Sequence, residues 1–134
     1  LSENKVLTEK ELDEIHYLKT GKLIEACVMC VCLIKKDIDD MTIEKLIKFS
    51  NKFGLAFQIR DDILDEIGDE AKIGKPIKSD IKNNKSSYPS IIGIKKSQKK
   101  AELLIDEALE ILSELPFKTD KLKFLCELVV KRKN

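Results

Sequence analysis

The chain reads GLAFQIRDDILD from Gly54 to Asp65, and this stretch indicates the fold class. Apolar side chains recur at spacings of three and four residues from Ile43 to Ile67, which is the period of a helix with one buried face. Gly68 follows the last of them, and glycine is common just beyond the end of a helix. The pattern predicts a long helix that ends at Gly68.

The end of this helix is strongly acidic. Asp61 and Asp65 are four residues apart and share a helix face with Gln58, whereas Asp62 lies on the neighbouring face. Like charges at this spacing destabilise a helix, so the arrangement favours a bound cation. Carboxylate oxygens suit Mg²⁺, which takes one or two of them and fills its other positions with water and phosphate oxygens. The alternative is a solvated charged surface. Six carboxylates occur within ten residues: Asp61, Asp62, Asp65, Glu66, Asp69 and Glu70.

The segments on either side are also predicted to be helical. Thr8 and Glu11 have the spacing of a capping box, and the apolar period that follows predicts a helix over 9–35 with a kink at Gly21. Residues 69–86 lack a sustained period and are predicted to form a loop. Three further helices are expected: one capped by Ser87, one from Ser97 to Leu115, and one from Thr119 or Asp120. The prediction is an all-α chain of about five helices.

The composition limits the functional class. Of 134 residues, 25 are Lys or Arg and 24 are Asp or Glu, so the net charge is only +1. This balance gives no indication of a nucleic-acid-binding surface. An apolar fraction of 43% is too high for disorder, and no apolar run approaches the roughly 20 residues of a membrane span. We therefore expect neither nucleic acid nor a membrane as a partner.

Four cysteines are unevenly spaced along the chain. Cys27, Cys30 and Cys32 crowd into one apolar segment, and Cys126 lies in another. A metal or redox site is one interpretation, but no histidine follows at ligand spacing. We expect small core side chains instead, in a reducing compartment such as the cytoplasm.

Several motifs, taken in order, resemble a known family. The chain contains IHYLKTG from Ile15, GLAFQIRDDILD from Gly54, GKP from Gly74, SDI from Ser79 and NKSSYP from Asn84. Together they resemble the C-terminal half of trans-isoprenyl diphosphate synthases, in particular the bacterial farnesyl diphosphate synthases, or geranyltranstransferases. The resemblance runs over essentially the whole chain. It implies that residues 1–134 are part of a polyprenyl synthase domain, namely half of an all-α bundle around a central cavity.

The resemblance also implies a prenyltransferase that condenses isopentenyl diphosphate with an allylic diphosphate. In this family two aspartate-rich motifs bind Mg²⁺ across the cavity, and Asp61, Asp62 and Asp65 match the second. By the same resemblance Asp61 is a direct ligand and the other two act partly through water. The expected assembly is a homodimer of the full-length protein. The remaining expected site residues are Lys19, Lys75 and Lys85 for the allylic diphosphate, Thr20 and Gln58 beside the departing diphosphate and the allylic cation, and Phe57 near the isopentenyl tail.

The sequence departs from the family in one respect. The 134 residues contain neither the first aspartate-rich motif nor the arginine pair beside it, so they supply half of the site. We therefore expect little activity from the chain alone and a longer parent synthase. Two alternatives stay open: a noncatalytic helical partner of a synthase, or an unrelated Mg²⁺-binding helical protein acting on another phosphate ester. His16 is expected to pack or to form hydrogen bonds rather than to catalyse, and product length stays open.

Overall fold

A computed structural model describes residues 7–73 and 86–131, with the backbone alone over 69–73. Every regular element in these two ranges is helical, which confirms the predicted all-α class. If the continuous run from Glu9 to Ile34 is counted once, the described ranges hold the five predicted helices. The elements are α1 (Glu9–His16), a π turn (Tyr17–Gly21), α2 (Lys22–Ile34), α3 (Asp40–Ile73), α4 (Tyr88–Ile92), α5 (Ile94–Ser113) and α6 (Asp120–Lys131).

The first helical run begins and bends where the sequence indicates. The Thr8 hydroxyl accepts a hydrogen bond from the Glu11 backbone N–H, and the Glu11 carboxylate accepts one from the Thr8 N–H, which confirms the capping box. The predicted kink is a π turn, in which the Lys22 N–H donates to the Tyr17 carbonyl five residues earlier. A Cβ on Gly21 would lie 2.8 Å from Cδ2 of Tyr17, so this turn accommodates the tyrosine ring because residue 21 is glycine.

Helix α3 is the centre of the molecule. It packs against α1, the π turn, α2, α4, α5 and α6, and its Ala56, Ile59 and Ile63 are fully buried. The predicted end at Gly68 is wrong, because α3 continues to Ile73. A glycine inside a helix costs only about 1 kcal/mol relative to alanine, which the favourable residues around it can offset.

The boundary between α4 and α5 also differs from the prediction. Ser87 caps α4 as expected, and its hydroxyl accepts a hydrogen bond from the Ser90 N–H. Ser97, predicted to begin the next helix, instead lies inside α5, where its hydroxyl donates to the Gly93 carbonyl. The helix break is at Gly93, whose φ of 85° suits a residue without a Cβ. The last helix begins at Asp120, one of the two predicted positions.

The core lies between α3, α5 and the first helical run, and its buried apolar members include Leu12, Tyr88, Ile105 and Leu112. The prediction for the cysteines was half wrong. Cys32 and Cys126 are buried, but Cys27 and Cys30 are exposed because α2 packs one side on α3 and leaves these thiols on its other sides. Across residues 7–73 and 86–131, no helix is both long and apolar enough to cross a membrane.

Candidate functional site

The polar stripe of α3 runs from the interior to the surface. Gln58 is 4% exposed, Asp61 is half-buried and Asp65 is exposed. The three residues share a face because they are separated by three and four positions. The stripe therefore has two carboxylates at its more exposed end and an amide at its buried end.

The π turn crosses α3 at very short range. A Cβ on Gly54 would lie 3.3 Å from the Cα of Gly21 and from Cδ1 of Ile24, so the two backbones approach closely where both residues are glycine. This crossing places the turn that carries Lys19 and Thr20 against α3, one helical turn before Gln58.

Hydrogen bonds between polar side chains brace the π turn. The Tyr17 hydroxyl donates a hydrogen bond to Oε2 of Glu25 at 2.8 Å, and Nζ of Lys22 donates to Oε1 at 3.3 Å. The Tyr17 hydrogen bond is the main cause that holds the pKa of Glu25 below its usual value, and Lys22 adds to it. Tyr17 and Glu25 likewise raise the pKa of Lys22. These contacts join the two ends of the turn and hold its shape.

Asp62 lies on a different face from Asp61 and Asp65, and it is engaged in the protein. Its Oδ2 is 3.1 Å from Nε2 of His16 and accepts the Tyr88 backbone N–H at 3.0 Å. The His16 and Tyr88 rings are stacked with centroids 5.6 Å apart. His16 is therefore a buried hydrogen-bonding residue, as predicted.

Lys100 of α5 extends this arrangement to the surface. Its Nζ donates to the Tyr88 hydroxyl at 3.0 Å, to Glu9 at 2.7 Å and to Asp13 at 3.1 Å. No sequence pattern around Lys100 indicates this role. Its partners are 87 and 91 residues away in α1, and no local pattern joins positions so far apart.

The expected site residues are partly assembled in the described ranges. Lys19 is exposed and Thr20 half-buried in the π turn, and Phe57 is half-buried against the core beside Gln58. Lys75 and Lys85 lie outside the described residues. An open cavity of about 570 Å³ between α1, the π turn and α3 is lined by other residues, so it does not coincide with the expected substrate site.

The donor set fits Mg²⁺ better than a metal held by protein groups alone. Within the described residues, no three His, Cys, Asp or Glu side chains converge into a potential metal site. Asp61 and Asp65 instead offer one or two carboxylates at the end of the stripe. Magnesium accepts such a partial set, since phosphate oxygens and water complete its octahedron.

The chain is similar in sequence to known proteins. The sequence profile of the polyprenyl synthetase family matches residues 1–128. The chain is 41% identical over 131 residues to farnesyl diphosphate synthase of Bacillus subtilis, and covers 98% of its own length and 44% of that protein. It is 40% identical over 127 residues to geranylgeranyl diphosphate synthase of Cyanophora paradoxa. That alignment covers 95% of this chain and 42% of the relative.

The fold is also found among solved structures. The crystal structure of a geranyltransferase from Helicobacter pylori, complexed with magnesium and isoprenyl diphosphate, aligns with a TM-score of 0.72 at 29% sequence identity. The alignment covers 96% of this chain and 42% of that one. The chain thus spans less than half the length of the relatives that it matches.

Proposed function

The chain belongs to the polyprenyl synthetase family, and on that premise we propose that it forms the wall of a prenyltransferase site that carries the second aspartate-rich motif. Residues 1–134 are then part of a polyprenyl synthase domain. The reaction is the condensation of isopentenyl diphosphate with an allylic diphosphate. Relatives named for farnesyl and for geranylgeranyl products are similarly close, so the proposal does not include a product length.

One observation carries the proposal. The close crossing of Gly21 on Gly54 places the turn bearing Lys19 and Thr20 against the helix that bears Gln58 and Asp61. The crossing thus brings a segment with a cationic and a polar residue into contact with the helix that carries the carboxylates. A Mg²⁺-diphosphate needs this combination, since the metal requires carboxylate oxygens and the diphosphate requires cationic donors.

The carboxylates of α3 have separate parts in this site. Asp61 would hold Mg²⁺ directly and the more exposed Asp65 would act through water, whereas Asp62 lies on the neighbouring face and contacts His16 and the Tyr88 N–H. When bound, the metal supplies positive charge that neutralises the diphosphate.

The other expected residues act on the substrates. Lys19, together with Lys75 and Lys85, holds the diphosphate and stabilises the negative charge that develops as it departs. The Thr20 hydroxyl and the Gln58 amide orient their oxygen dipoles towards the developing allylic cation. Phe57 lines the position of the isopentenyl tail, and the proton lost at the end of the reaction goes to the released diphosphate.

A chimeric enzyme tests the proposed activity. Residues 1–134 replace the matching C-terminal portion of the Bacillus subtilis relative, so the other wall of the site is present. We expect Mg²⁺-dependent synthesis of a prenyl diphosphate from labelled isopentenyl diphosphate and geranyl diphosphate. Asp61→Asn and Lys19→Gln should each lower kcat/KM by about 100-fold or more, because each removes charge stabilisation of the transition state.

Asp106→Asn is the matched control, because it removes an exposed carboxylate on α5. Its activity should match that of the parent chimera. Full activity of the Asp61→Asn chimera would contradict the proposal. If the chimera does not fold, calorimetry of the 134-residue chain with Mg²⁺ and a bisphosphonate replaces it: binding that is lost in Asp61→Asn supports the proposal, and no binding contradicts it.

A second candidate is a noncatalytic subunit that packs against a synthase. The exposed apolar side chains of α2, among them Leu33 and Ile34, favour it because such a surface suits a helical partner. For the full-length enzyme we propose a homodimer in the cytoplasm. Co-purification with a full-length synthase, followed by measurement of product length, separates a partner role from a catalytic one.

A further inference from the structure

We propose that Asp62 is a positioning residue rather than a metal ligand, and that His16 and the Tyr88 backbone amide fix it. The inference rests on the proposed function. Oδ2 of Asp62 accepts the Tyr88 N–H at 3.0 Å and lies 3.1 Å from Nε2 of His16. Because an ionised carboxylate can only accept, Nε2 of His16 carries the hydrogen in this contact.

The burial of these groups makes the contact specific. His16 is 5% exposed, and within the described ranges its Nδ1 has no hydrogen-bond partner. The contact with Asp62 is thus the one polar interaction that the ring makes there. A buried polar group without a partner is costly, so the position of His16 depends on Asp62. Conversely, the Asp62 carboxylate has a side-chain exposure of 19%, and the hydrogen bonds that it accepts replace contacts with water.

Tyr88 is itself held in place. It is fully buried, stacked on His16, and its hydroxyl accepts a hydrogen bond from Lys100. Lys100 is held in turn by Glu9 and Asp13 at the surface of α1. The contacts form an unbroken path from α1 through α5 and α4 to Asp62 on α3.

Together with the buried apolar face of α3, this path sets the rotation of the helix about its own axis. Successive residues of a helix are about 100° apart, so Asp61 lies about 100° from Asp62 around α3. Asp65, four residues after Asp61, shares its face. When Asp62 is bonded to α1 and α4, the positions of Asp61 and Asp65 around the helix axis are set before any ligand binds. Of the three aspartates, one therefore orients the helix and two face the diphosphate.

Amide hydrogen exchange tests the anchor without reference to the reaction. In the 134-residue chain, Asp62→Ala removes the acceptor, and exchange of the Tyr88 amide should become about tenfold faster or more, as for loss of a hydrogen bond to a charged group. Asp62→Asn keeps an acceptor oxygen and should keep the protection. Unchanged exchange of the Tyr88 amide in Asp62→Ala would overturn the anchor.

Metal binding tests the division of roles. Mn²⁺ with inorganic diphosphate, followed by electron paramagnetic resonance, serves as the probe. Asp61→Asn should abolish binding, whereas Asp62→Asn should stay close to the unsubstituted chain. His16→Leu should weaken binding by about tenfold, which is typical of a residue that orients a ligand, and His16→Gln should restore most of it because its amide can also donate.

The outcomes separate the two proposals. If Asp62→Asn loses binding as completely as Asp61→Asn while the Tyr88 amide stays protected, Asp62 is a ligand and the inference is wrong. Equal binding in His16→Leu and His16→Gln would also overturn it. If the unsubstituted chain does not bind Mn²⁺ and diphosphate, the proposed function fails, and the exchange experiment still decides whether Asp62 anchors α4.

Discussion

Helices α2 and α3 show that apolar composition and burial are separate properties. The 13 residues of α2 include only two charged ones, Lys22 and Glu25, yet Leu33 is 75% exposed and Ile34 is 82% exposed. Helix α3 carries many charges and still buries Ala56, Ile59 and Ile63 completely. The more apolar helix is thus the more exposed one.

The difference follows from the number of neighbours. Within the described ranges α3 is surrounded by the other helices, whereas α2 packs only against α3 and the π turn. A helix that is apolar on all sides is expected to be buried on all sides. The exposed apolar side of α2 is therefore suited to packing against another apolar surface, whereas α3 already packs against helices of the same chain.

The largest expected effect comes from creating a cavity at a buried position of α3. Ile59→Ala should lower the free energy of unfolding by about 2–5 kcal/mol, because it removes buried methyl groups and leaves a void. Ile34→Ala in α2 is the matched control and should change it by less than about 0.5 kcal/mol, as expected for an exposed position. Urea denaturation measures both. Equal losses would contradict the contrast between the two helices.

The close crossing between the helices gives the next effect. Gly54→Ala places a methyl group 3.3 Å from the Gly21 backbone, and it should destabilise by about 1–3 kcal/mol despite the better helix propensity of alanine. Gly68→Ala meets no atom within 4 Å and should stabilise by about 0.5–1 kcal/mol. Thermal unfolding measures both. The two substitutions are chemically identical, so a change in stability of the same sign for both would contradict the close contact between Gly21 and Gly54.

Polar substitution on α2 tests its exposed surface. Leu33→Lys combined with Ile34→Lys should leave the stability of the monomer within about 0.5 kcal/mol and reduce association at high concentration. Sedimentation velocity over a concentration series measures the association. Asp120→Lys is the matched control. Residue 118 is already an exposed lysine, so this single substitution creates a pair of exposed lysines outside α2, and it should leave association unchanged.

Thiol reactivity distinguishes the exposed cysteines of α2 from the buried cysteine of α6 without altering stability. Cys27 and Cys30 are exposed, whereas burial raises the pKa of Cys126 to about 11. Since the thiolate is the reactive form, two of the four thiols should react rapidly with a disulfide reagent near pH 8, and Cys126 should react only after unfolding. Cys27→Ser with Cys30→Ser should remove the rapid phase. Persistence of that phase would contradict the assigned exposure.

The smallest effect concerns the brace of the π turn. The pKa of Glu25 is lower in the folded chain than its usual value of 4.5, so its stabilisation is complete above that value and is lost as the pH falls through the folded pKa. Glu25→Gln should therefore lower stability at neutral pH and flatten the acid dependence below about pH 4.5. Denaturation curves at pH 7 and pH 3 test it, and an identical acid dependence in both proteins would contradict the brace.

Much of the fold could be read from the sequence because its signals are local. The capping box at Thr8, the cap at Ser87 and the break in the first run each involve residues within a few positions of one another. Boundaries at Gly68 and Ser97 were mispredicted for the same reason. Each residue has the local chemistry of a terminus, but the surrounding helix is stable enough to include it.

The sequence by itself determined the helical class, the order of the motifs and the residue types of the candidate site, since periodicity and spacing are properties of the chain. Only the tertiary structure decided that His16 and Tyr88 hold Asp62, how far Asp61 and Asp65 are exposed, and that α2 keeps an exposed apolar surface. These features join residues 26 and 46 positions apart, or depend on which helices are neighbours. They follow from packing, which local sequence does not encode.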